Sequence, residues 1–254
     1  MSIFDLTGKK AIVTGGSRGL GHGMAEGLLE AGCEVVIIGI RETIKDRADE
    51  FNKKGLKCTG VQADLGDEIA LKEAFQESLA ALGGHLDILV TAHGVQSRHP
   101  SEEFPMEDWK RVLDVNLTAV FELCQLAAKQ FMAQESKGKI ITVASMLSFF
   151  GGYTVPAYAA SKGGVAQITK AFCNEWAEKG INVNSIAPGY MATEMNTALL
   201  DPNNPRKEAI TNRIPAKRWG TAEDMKGPCV FLASDASDYL NGAVIPVDGG
   251  YLVR

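Results

Sequence analysis

The sequence predicts an α/β fold of the doubly wound type, with helices on both faces of a parallel sheet. Short runs rich in β-branched residues alternate along the chain with longer segments of helical pattern. Several of these runs are apolar throughout, which is typical of strands buried on both faces of a parallel sheet. Their alternation with helical segments indicates repeated strand–helix–strand units.

Seven runs are predicted to be strands: KAIVTG at 10–15, EVVIIG at 34–39, CTGVQA at 58–63, LDILVTA at 86–92, KIITVAS at 139–145, INVNSIA at 181–187 and AVIPV at 243–247. Helices are predicted at 20–31, 66–83, 107–133, 156–179, 206–213 and 222–234. No repeat, low-complexity tract or linker interrupts the pattern. Residues 1–254 are therefore expected to form a single domain.

The least regular segment is 188–219, which contains the turn signal DPNNP. It follows the sixth predicted strand, on the side of a parallel sheet where strands end and ligands bind. A lid over a substrate site and a plain surface excursion are both consistent with this sequence.

The composition argues against several classes of protein. A net charge of −5 provides no basic footprint for nucleic acid or an anionic membrane. Five scattered cysteines form no CxxC pair, so neither a disulfide framework nor a metal site is expected. The sequence shows no signal peptide and no apolar run of about 18 residues. These features predict a cytoplasmic protein.

A glycine-rich turn, TGGSRGLG at 14–21, closes the first predicted strand and opens the first helix. Gly15, Gly19 and Gly21 permit a tight turn and a close approach of backbone N–H groups to a pyrophosphate. An NAD site of this kind usually has an acid at the end of the second strand, but Gly39 stands there. Arg18 and Arg41 are suited to a 2′-phosphate or to plain solvent exposure, so the residues leave the choice of dinucleotide open.

Tyr158 and Lys162 lie four residues apart in VPAYAASKGG, and on a helix they share one face. A tyrosine phenol titrates near pH 10, and a neighbouring ammonium favours the phenolate. Such a phenol is able to exchange a proton with an alcohol or a carbonyl. A surface pair on a helix is the alternative.

Two further polar residues stand at informative places. Ser145 ends a predicted strand, where its hydroxyl can hydrogen-bond a substrate oxygen as charge develops. Asn116 lies inside a helical pattern, where asparagine is unfavourable, so we expect a special backbone or side-chain role for it. A solvent-facing asparagine is the alternative.

Together the glycine loop, Asn116, Ser145, Tyr158 and Lys162 resemble the short-chain dehydrogenase/reductase family over essentially the whole chain. The resemblance implies a Rossmann-like, doubly wound sheet of seven parallel strands and hydride transfer at a nicotinamide. It implies that Tyr158 is the general acid/base, that Lys162 lowers its pKa and binds the nicotinamide ribose, and that Ser145 orients the substrate oxygen. Asn116 is expected to support a water in a proton relay that reaches Lys162.

The resemblance also implies a cofactor-binding set. Asp64 is expected at the adenine, and Pro188 and Gly189 are expected beside the nicotinamide. The full set is Gly15, Ser17, Arg18, Gly19, Leu20, Gly21, Arg41, Asp64, Leu65, His93, Gly94, Tyr158, Lys162, Pro188, Gly189 and Thr193. NAD(H) is the favoured cofactor, and NADP(H) is the second candidate.

One motif departs from the family pattern. The chain reads TAHG at 91–94 where the family usually reads NNAG. His93 is expected near the cofactor ribose, as a steric variant in preference to a second proton donor.

Longer strings, among them ASMLSFFGG, IAPGYMATEM and RIPAKRWG, resemble family members that act on sugar acids. Arg98 is then expected to bind the substrate carboxylate bidentately, with Tyr190 and Arg218 as weaker candidates beside it. The alternatives are a family member acting on gluconate, a 3-oxoacyl thioester reductase and a non-catalytic cofactor sensor.

The resemblance further implies a homotetramer with helices 107–133 and 156–179 between subunits. Phe121, Phe172 and Trp176 are candidates for that interface or for the core of the subunit. The expected partners are a small-molecule substrate and other copies of the chain, without nucleic acid or membrane.

Overall fold

Seven parallel strands form one sheet in the computed structural model, which describes residues 2–254. The strands are β1 (Lys10–Thr14), β2 (Glu34–Gly39), β3 (Cys58–Gln62), β4 (Ile88–Thr91), β5 (Gly138–Val143), β6 (Ile181–Pro188) and β7 (Val244–Val247). Their order across the sheet is β3-β2-β1-β4-β5-β6-β7. All seven predicted strands and the doubly wound fold are confirmed.

Nine α-helices lie within residues 2–254: α1 (Gly19–Glu30), α2 (Ile44–Lys53), α3 (Glu68–Ala81), α4 (Met106–Leu113), α5 (Ala119–Ala133), α6 (Pro156–Trp176), α7 (Thr197–Leu200), α8 (Pro205–Arg213) and α9 (Lys226–Ala233). Helix α2 was not predicted from the sequence. This helix buries only Ile44, Ala48 and Phe51, while the rest of it is strongly charged. Among these described residues, none of the helices combines the length and the apolar character needed to cross a bilayer.

The strands are apolar along their length because both faces of the sheet are covered. Ile12 and Leu89 point into a core formed with α3, α5 and α6. Val13 and Val90, their neighbours in sequence, point into a second core formed with α1, α2 and α9. Successive side chains on a strand alternate between the two faces, so a strand covered on both sides reads as a continuous apolar run.

The contact between α1 and α9 depends on glycine. A Cβ atom on Gly23 would lie 2.4 Å from the carbonyl oxygen of Ala222, and one on Gly27 would lie 2.9 Å from Cβ of Lys226. Any larger residue at these two positions would push the helices apart. Lys226 in turn pairs with Glu26 and Glu30 on α1.

The order of the strands creates a crevice at their carboxyl ends. The chain winds outward in one direction from β1 through β2 and β3, and in the other from β4 through β7. The helices that follow β1 and β4 therefore diverge, and a cleft opens between the two strands. At this level a row of hydroxyl side chains crosses the sheet in register, made of Thr14, Thr91, Thr142 and Ser185.

Segment 188–219 contains α7 and α8 and has an apolar core of its own. Leu199, Ile210, Ile214 and Trp219 pack there with Met146 and Tyr251. The packing joins the segment to the chain beyond β5 and to the residues beyond β7, so it has a defined structure beside the crevice.

Candidate active site

A cleft of about 1080 Å³ lies at the carboxyl ends of the strands, at the crevice between β1 and β4. Most of the residues predicted from the sequence line it: Gly15, Ser17, Arg18, Gly19, Leu20, Gly21, Asp64, Leu65, His93, Gly94, Arg98, Ser145, Tyr158, Lys162, Pro188, Gly189 and Thr193. Arg41, Asn116 and Tyr190 lie outside this lining. The fold therefore brings residues from six separate parts of the chain to one cavity.

The glycine loop is shaped by close backbone contacts. Gly15 adopts a φ of +68°, and a Cβ atom on it would lie 2.8 Å from the backbone nitrogen of His93. A Cβ atom on Gly21 would lie 2.4 Å from the carbonyl oxygen of Gly15. Since α1 begins at Gly19, its free N–H groups face the cleft. This loop and the extended cleft beside it fit the pyrophosphate of a dinucleotide.

The end of β2 carries no acid but has one close by from another segment. A Cβ atom on Gly39 would lie 3.2 Å from Oγ of Ser17, so there is little free space for a side chain at this position. Arg18 forms an ion pair with Glu194, and Nη2 of Arg41 lies 3.5 Å from Oε2 of the same carboxylate. The two arginines lower the pKa of Glu194. Glu194 was not predicted from the sequence, because nothing in the pattern of 188–219 indicates its contact with the glycine loop.

Tyr158 and Lys162 share one face of α6, as their spacing predicts. The Lys162 ammonium donates a hydrogen bond to the carbonyl of Val143 at 2.6 Å, and Nζ lies 5.8 Å from the centre of the Tyr158 ring. Burial lowers the pKa of Lys162 to about 8.

Burial and neighbouring polar groups act on the pKa of Tyr158 in opposite directions. Burial raises the pKa of this phenol, while a hydrogen bond with Ser145 and the positive charge of Arg98 act in the lowering direction. The Lys162 ammonium lies near the phenol while donating its hydrogen bond to the Val143 carbonyl. Ser145 and Arg98 are therefore additional groups that act on the Tyr158 proton.

Ser145 follows β5 and begins a short helical turn, Met146–Ser148. Its hydroxyl oxygen accepts a hydrogen bond from the backbone N–H of Leu147 at 3.1 Å, and Oγ of Ser148 accepts one from the backbone N–H of Ser145 at 3.3 Å. This capping arrangement fixes the Ser145 side chain at the cleft beside Tyr158.

Asn116 is held in a π-turn, Asp114–Thr118, which interrupts the long helix between α4 and α5. Its Oδ1 accepts a hydrogen bond from the backbone N–H of Val95 at 2.8 Å, and its Nδ2 donates to the carbonyl of Val95 at 2.9 Å. Nδ2 also donates to Oγ of Ser161 at 3.3 Å. The backbone at Asn116 is thus irregular, in a π-turn of the kind that is frequent at functional sites.

His93 is a buried, neutral part of the cleft wall. Its Nδ1 lies 2.6 Å from Oγ1 of Thr14, which joins the TAHG segment to the end of β1. Burial lowers the pKa of His93 to about 3, and the positive charge of Lys162 acts in the same direction. The imidazole therefore carries no charge at neutral pH.

The three predicted substrate residues have different surroundings. Arg98 lines the cleft, and no carboxylate of residues 2–254 forms an ion pair with it. Tyr190 packs its ring against Trp219 and Tyr251, with ring centres 5.2 Å apart in both pairs. Arg218 forms two hydrogen bonds with Asp224, at 2.8 and 2.6 Å, so its guanidinium is already engaged. Only Arg98 retains the free charge that the prediction requires.

The remaining cleft residues lie at its two ends. Oδ1 of Asp64 accepts a hydrogen bond from the backbone N–H of Gly66 at 2.9 Å, which shapes the loop after β3. Gly189 passes so close to the chain beyond β7 that a Cβ atom on it would lie 2.6 Å from Cα of Asp248. The backbone after β6 is thereby fixed at the edge of the cleft.

Comparison with known proteins gives consistent matches over the full length. The family model described as Enoyl-(Acyl carrier protein) reductase matches residues 15–252. The chain is 48% identical over 254 residues to the 2-dehydro-3-deoxy-D-gluconate 5-dehydrogenase of Escherichia coli, covering 100% of this chain and 99% of that protein.

Two similar solved structures come from other bacteria. A proposed 2-deoxy-D-gluconate 3-dehydrogenase of Agrobacterium tumefaciens, with bound NADP, is 45% identical with a TM-score of 0.93. A proposed gluconate 5-dehydrogenase of Beutenbergia cavernae, with NADP bound at low occupancy, is 43% identical with a TM-score of 0.95. Each comparison covers 100% of both chains. On its sheet topology, its cleft and these matches, the chain belongs to the short-chain dehydrogenase/reductase family.

Proposed function

We propose that the protein is an oxidoreductase that transfers a hydride between a nicotinamide dinucleotide and a secondary alcohol or ketone of a sugar acid. The substrate pair that we favour is 2-dehydro-3-deoxy-D-gluconate and its 5-keto form, on the similarity to the Escherichia coli enzyme. The observation that supports the reaction most directly is the grouping of Ser145, Tyr158 and Lys162 along one wall of the cleft.

In this proposal Tyr158 holds or accepts the proton of the substrate hydroxyl, and Ser145 hydrogen-bonds the same oxygen. Lys162 stands behind Tyr158, where its buried ammonium favours negative charge on the phenol as the proton leaves. Asn116 positions the backbone of Val95 and the side chain of Ser161, and so it keeps the turn beside Lys162 in place.

The cofactor would lie along the cleft from the glycine loop to Pro188 and Gly189. When bound, the nicotinamide supplies or accepts the hydride. The predicted contacts are Gly15, Ser17, Arg18, Gly19, Leu20, Gly21, Arg41, Asp64, Leu65, His93, Gly94, Tyr158, Lys162, Pro188, Gly189 and Thr193, of which Arg41 alone is absent from the cleft lining. Both dinucleotides remain candidates: the resemblance favours NAD(H), whereas the NADP in the two solved relatives favours NADP(H).

Arg98 supports an acidic substrate. Its side chain is exposed, lines the cleft and forms no ion pair with an acidic group of residues 2–254. A carboxylate is the group that a free guanidinium binds best, through two parallel hydrogen bonds. We therefore assign to Arg98 the substrate carboxylate.

Gluconate 5-dehydrogenase activity is a second candidate, because one of the similar solved structures is described by that activity. Gluconate also carries a carboxylate, so Arg98 does not distinguish the two substrates.

The test is absorbance at the reduced-nicotinamide band with 2-dehydro-3-deoxy-D-gluconate, gluconate and a 3-oxoacyl thioester analogue, each with both dinucleotides. We expect fast turnover with the first substrate and loss of that turnover in Tyr158→Phe, while dinucleotide binding is retained. Turnover with the thioester alone would contradict a sugar-acid substrate. Dinucleotide binding without turnover on any of the three would withdraw the substrate assignment.

Three further expectations belong to this proposal. Segment 188–219 acts as a lid, residues 1–254 act as one catalytic domain, and the protein works in the cytoplasm as a homotetramer. Phe121 is 44% exposed on α5 and its ring lies 5.6 Å from that of Phe172 on α6, which supports an apolar contact between subunits there. A stable monomer in light scattering at micromolar concentration would contradict the tetramer.

A further inference from the structure

We infer that Glu194 selects for a dinucleotide with a free 2′-hydroxyl and against one with a 2′-phosphate. The inference rests on the proposed function, because it requires that the cleft binds a nicotinamide dinucleotide. Glu194 lies in the turn Glu194–Asn196, in the segment that we propose as a lid, and it also lines the cleft.

The geometry places one carboxylate between two guanidinium groups. Arg18 is the residue just before α1, and Arg41 follows the end of β2 by two positions. Glu194 is bonded to the first and lies 3.5 Å from the second. Thr193, the residue before Glu194, lies beside the glycine loop, where a Cβ atom on Gly19 would be at ordinary van der Waals distance (3.8 Å) from its side chain.

The same place is where this fold recognises the ribose of the adenosine. An acid at the end of the second strand holds the ribose hydroxyls in NAD sites, and an arginine nearby accommodates a 2′-phosphate. In this chain β2 ends in Gly39, which has no side chain to bind the ribose. The arginines are present, and the carboxylate beside them belongs to Glu194 of segment 188–219. Glu194 therefore provides the acceptor that β2 does not provide.

Charge decides which dinucleotide this arrangement favours. A 2′-phosphate carries nearly two negative charges at neutral pH. To bind between Arg18 and Arg41, it would have to displace Glu194 or remain beside a like charge. A 2′-hydroxyl donates a hydrogen bond to a carboxylate and displaces nothing. Both effects act in the same direction, toward NAD(H).

The size of the effect follows from the exposure of the three groups. The side chains of Arg18, Arg41 and Glu194 are 48, 52 and 62% exposed, so water and salt screen their interaction. A change of about twofold to fivefold in relative affinity is expected at low ionic strength, with a smaller change at high ionic strength.

The experiment compares wild type with Glu194→Gln and with Glu208→Gln. Glu208 is an exposed glutamate on α8 that forms no ion pair with a residue of 2–254, so its variant controls for the loss of one negative charge in the same segment. Dissociation constants of NADH and NADPH are measured by nucleotide fluorescence. Adenosine 2′,5′-bisphosphate and adenosine 5′-monophosphate, which differ only by the 2′-phosphate, are measured as competitors.

In Glu194→Gln we expect tighter binding of NADPH and of the bisphosphate, with NADH and the monophosphate unchanged or weaker. Glu208→Gln should keep the wild-type ratio. An unchanged NADPH to NADH ratio in Glu194→Gln, or an equal shift in both variants, would overturn the inference and leave the proposed function intact. If wild type bound none of the four nucleotides, the proposed function would fail and the inference with it.

Discussion

The Lys162 ammonium lies 5.8 Å from the centre of the Tyr158 ring and is hydrogen-bonded to the carbonyl of Val143. It is therefore near the phenol without being directed at its oxygen. The groups that act on the pKa of Tyr158 in the lowering direction are Ser145 and Arg98, against a burial that raises it. Ser145, Arg98 and the nearby Lys162 are thus the three residues placed to act on the proton of Tyr158.

The pH profile of turnover should report this control. Alcohol oxidation needs the Tyr158 phenolate as base, so its rate should rise with pH, while ketone reduction needs the phenol and should fall. Removing the Ser145 hydroxyl removes a group that lowers the pKa of Tyr158. In Ser145→Ala the inflection should move to higher pH and turnover should fall by ~10²–10³-fold. The profile of initial rates against pH measures both, and an inflection that stays in place would contradict this account.

Asn116→Ala should lower stability as well as turnover. The variant leaves the backbone N–H and carbonyl of Val95 without their partner, and it removes a hydrogen bond to Ser161. We expect a decrease of roughly 2–4 kcal/mol in the free energy of unfolding, because buried polar groups lose their hydrogen bonds. Urea denaturation measures it. A loss no larger than that of a surface substitution would show that the π-turn does not depend on this side chain.

His93 should make the protein sensitive to acid. Its folded pKa of about 3 lies below the unfolded value of about 6.5, so between these values the unfolded state binds more protons. The His93 contribution to stability is therefore lost as pH falls from about 6.5 toward 3. Its share of the loss between pH 7 and pH 5 is about 2 kcal/mol.

His93→Asn retains a polar side chain near Thr14 but does not titrate. Between pH 7 and pH 5 this variant should lose about 2 kcal/mol less stability than wild type, as measured by denaturation at each pH. Equal losses in the two proteins would mean that His93 becomes protonated in the folded state.

Arg98→Lys should weaken binding of the sugar acid more than it slows the chemical step. Lysine keeps the charge but loses the two parallel hydrogen bonds that a guanidinium makes to a carboxylate. The KM for the sugar acid should rise by ~10–100-fold, with a smaller effect on kcat. A neutral polyol that lacks the carboxylate provides the control, because its KM should not change. A similar rise for the polyol would place Arg98 away from the carboxylate.

The fold was largely predictable because parallel strands buried on both faces have an unmistakable apolar pattern. All seven strands follow from it, with differences of one or two residues at their ends. Helix α2 was not predicted because its sequence is dominated by charge, with apolar residues only at Ile44, Ala48 and Phe51. Those three residues stand at the i, i+4, i+7 spacing of one helix face, so the local sequence does carry a helix signal, and their packing stabilises the helix.

The site was less predictable where it depends on contacts distant in sequence. The spacing of Tyr158 and Lys162 predicts their common helix face, but not that Lys162 bonds to Val143. The arginine candidates Arg98 and Arg218 are equivalent in sequence, and only the structure shows that Asp224 already occupies the second. The contacts of Glu194 were equally unpredictable, because its partners lie in the loops after β1 and β2, far from it in sequence.

The glycines of α1 that contact the region around α9 affect when this helix is able to form during synthesis. Glycine at 23 and 27 admits α9, but each such residue weakens an isolated helix by about 1 kcal/mol relative to alanine. Helix α1 therefore has little tendency to form alone and depends on residues near the opposite end of the chain. During synthesis the N-terminus of α1, which lines the cleft, should remain unformed until 222–233 has left the ribosome. Folding of the glycine loop is thus a late event, although the loop is among the first residues to be synthesised.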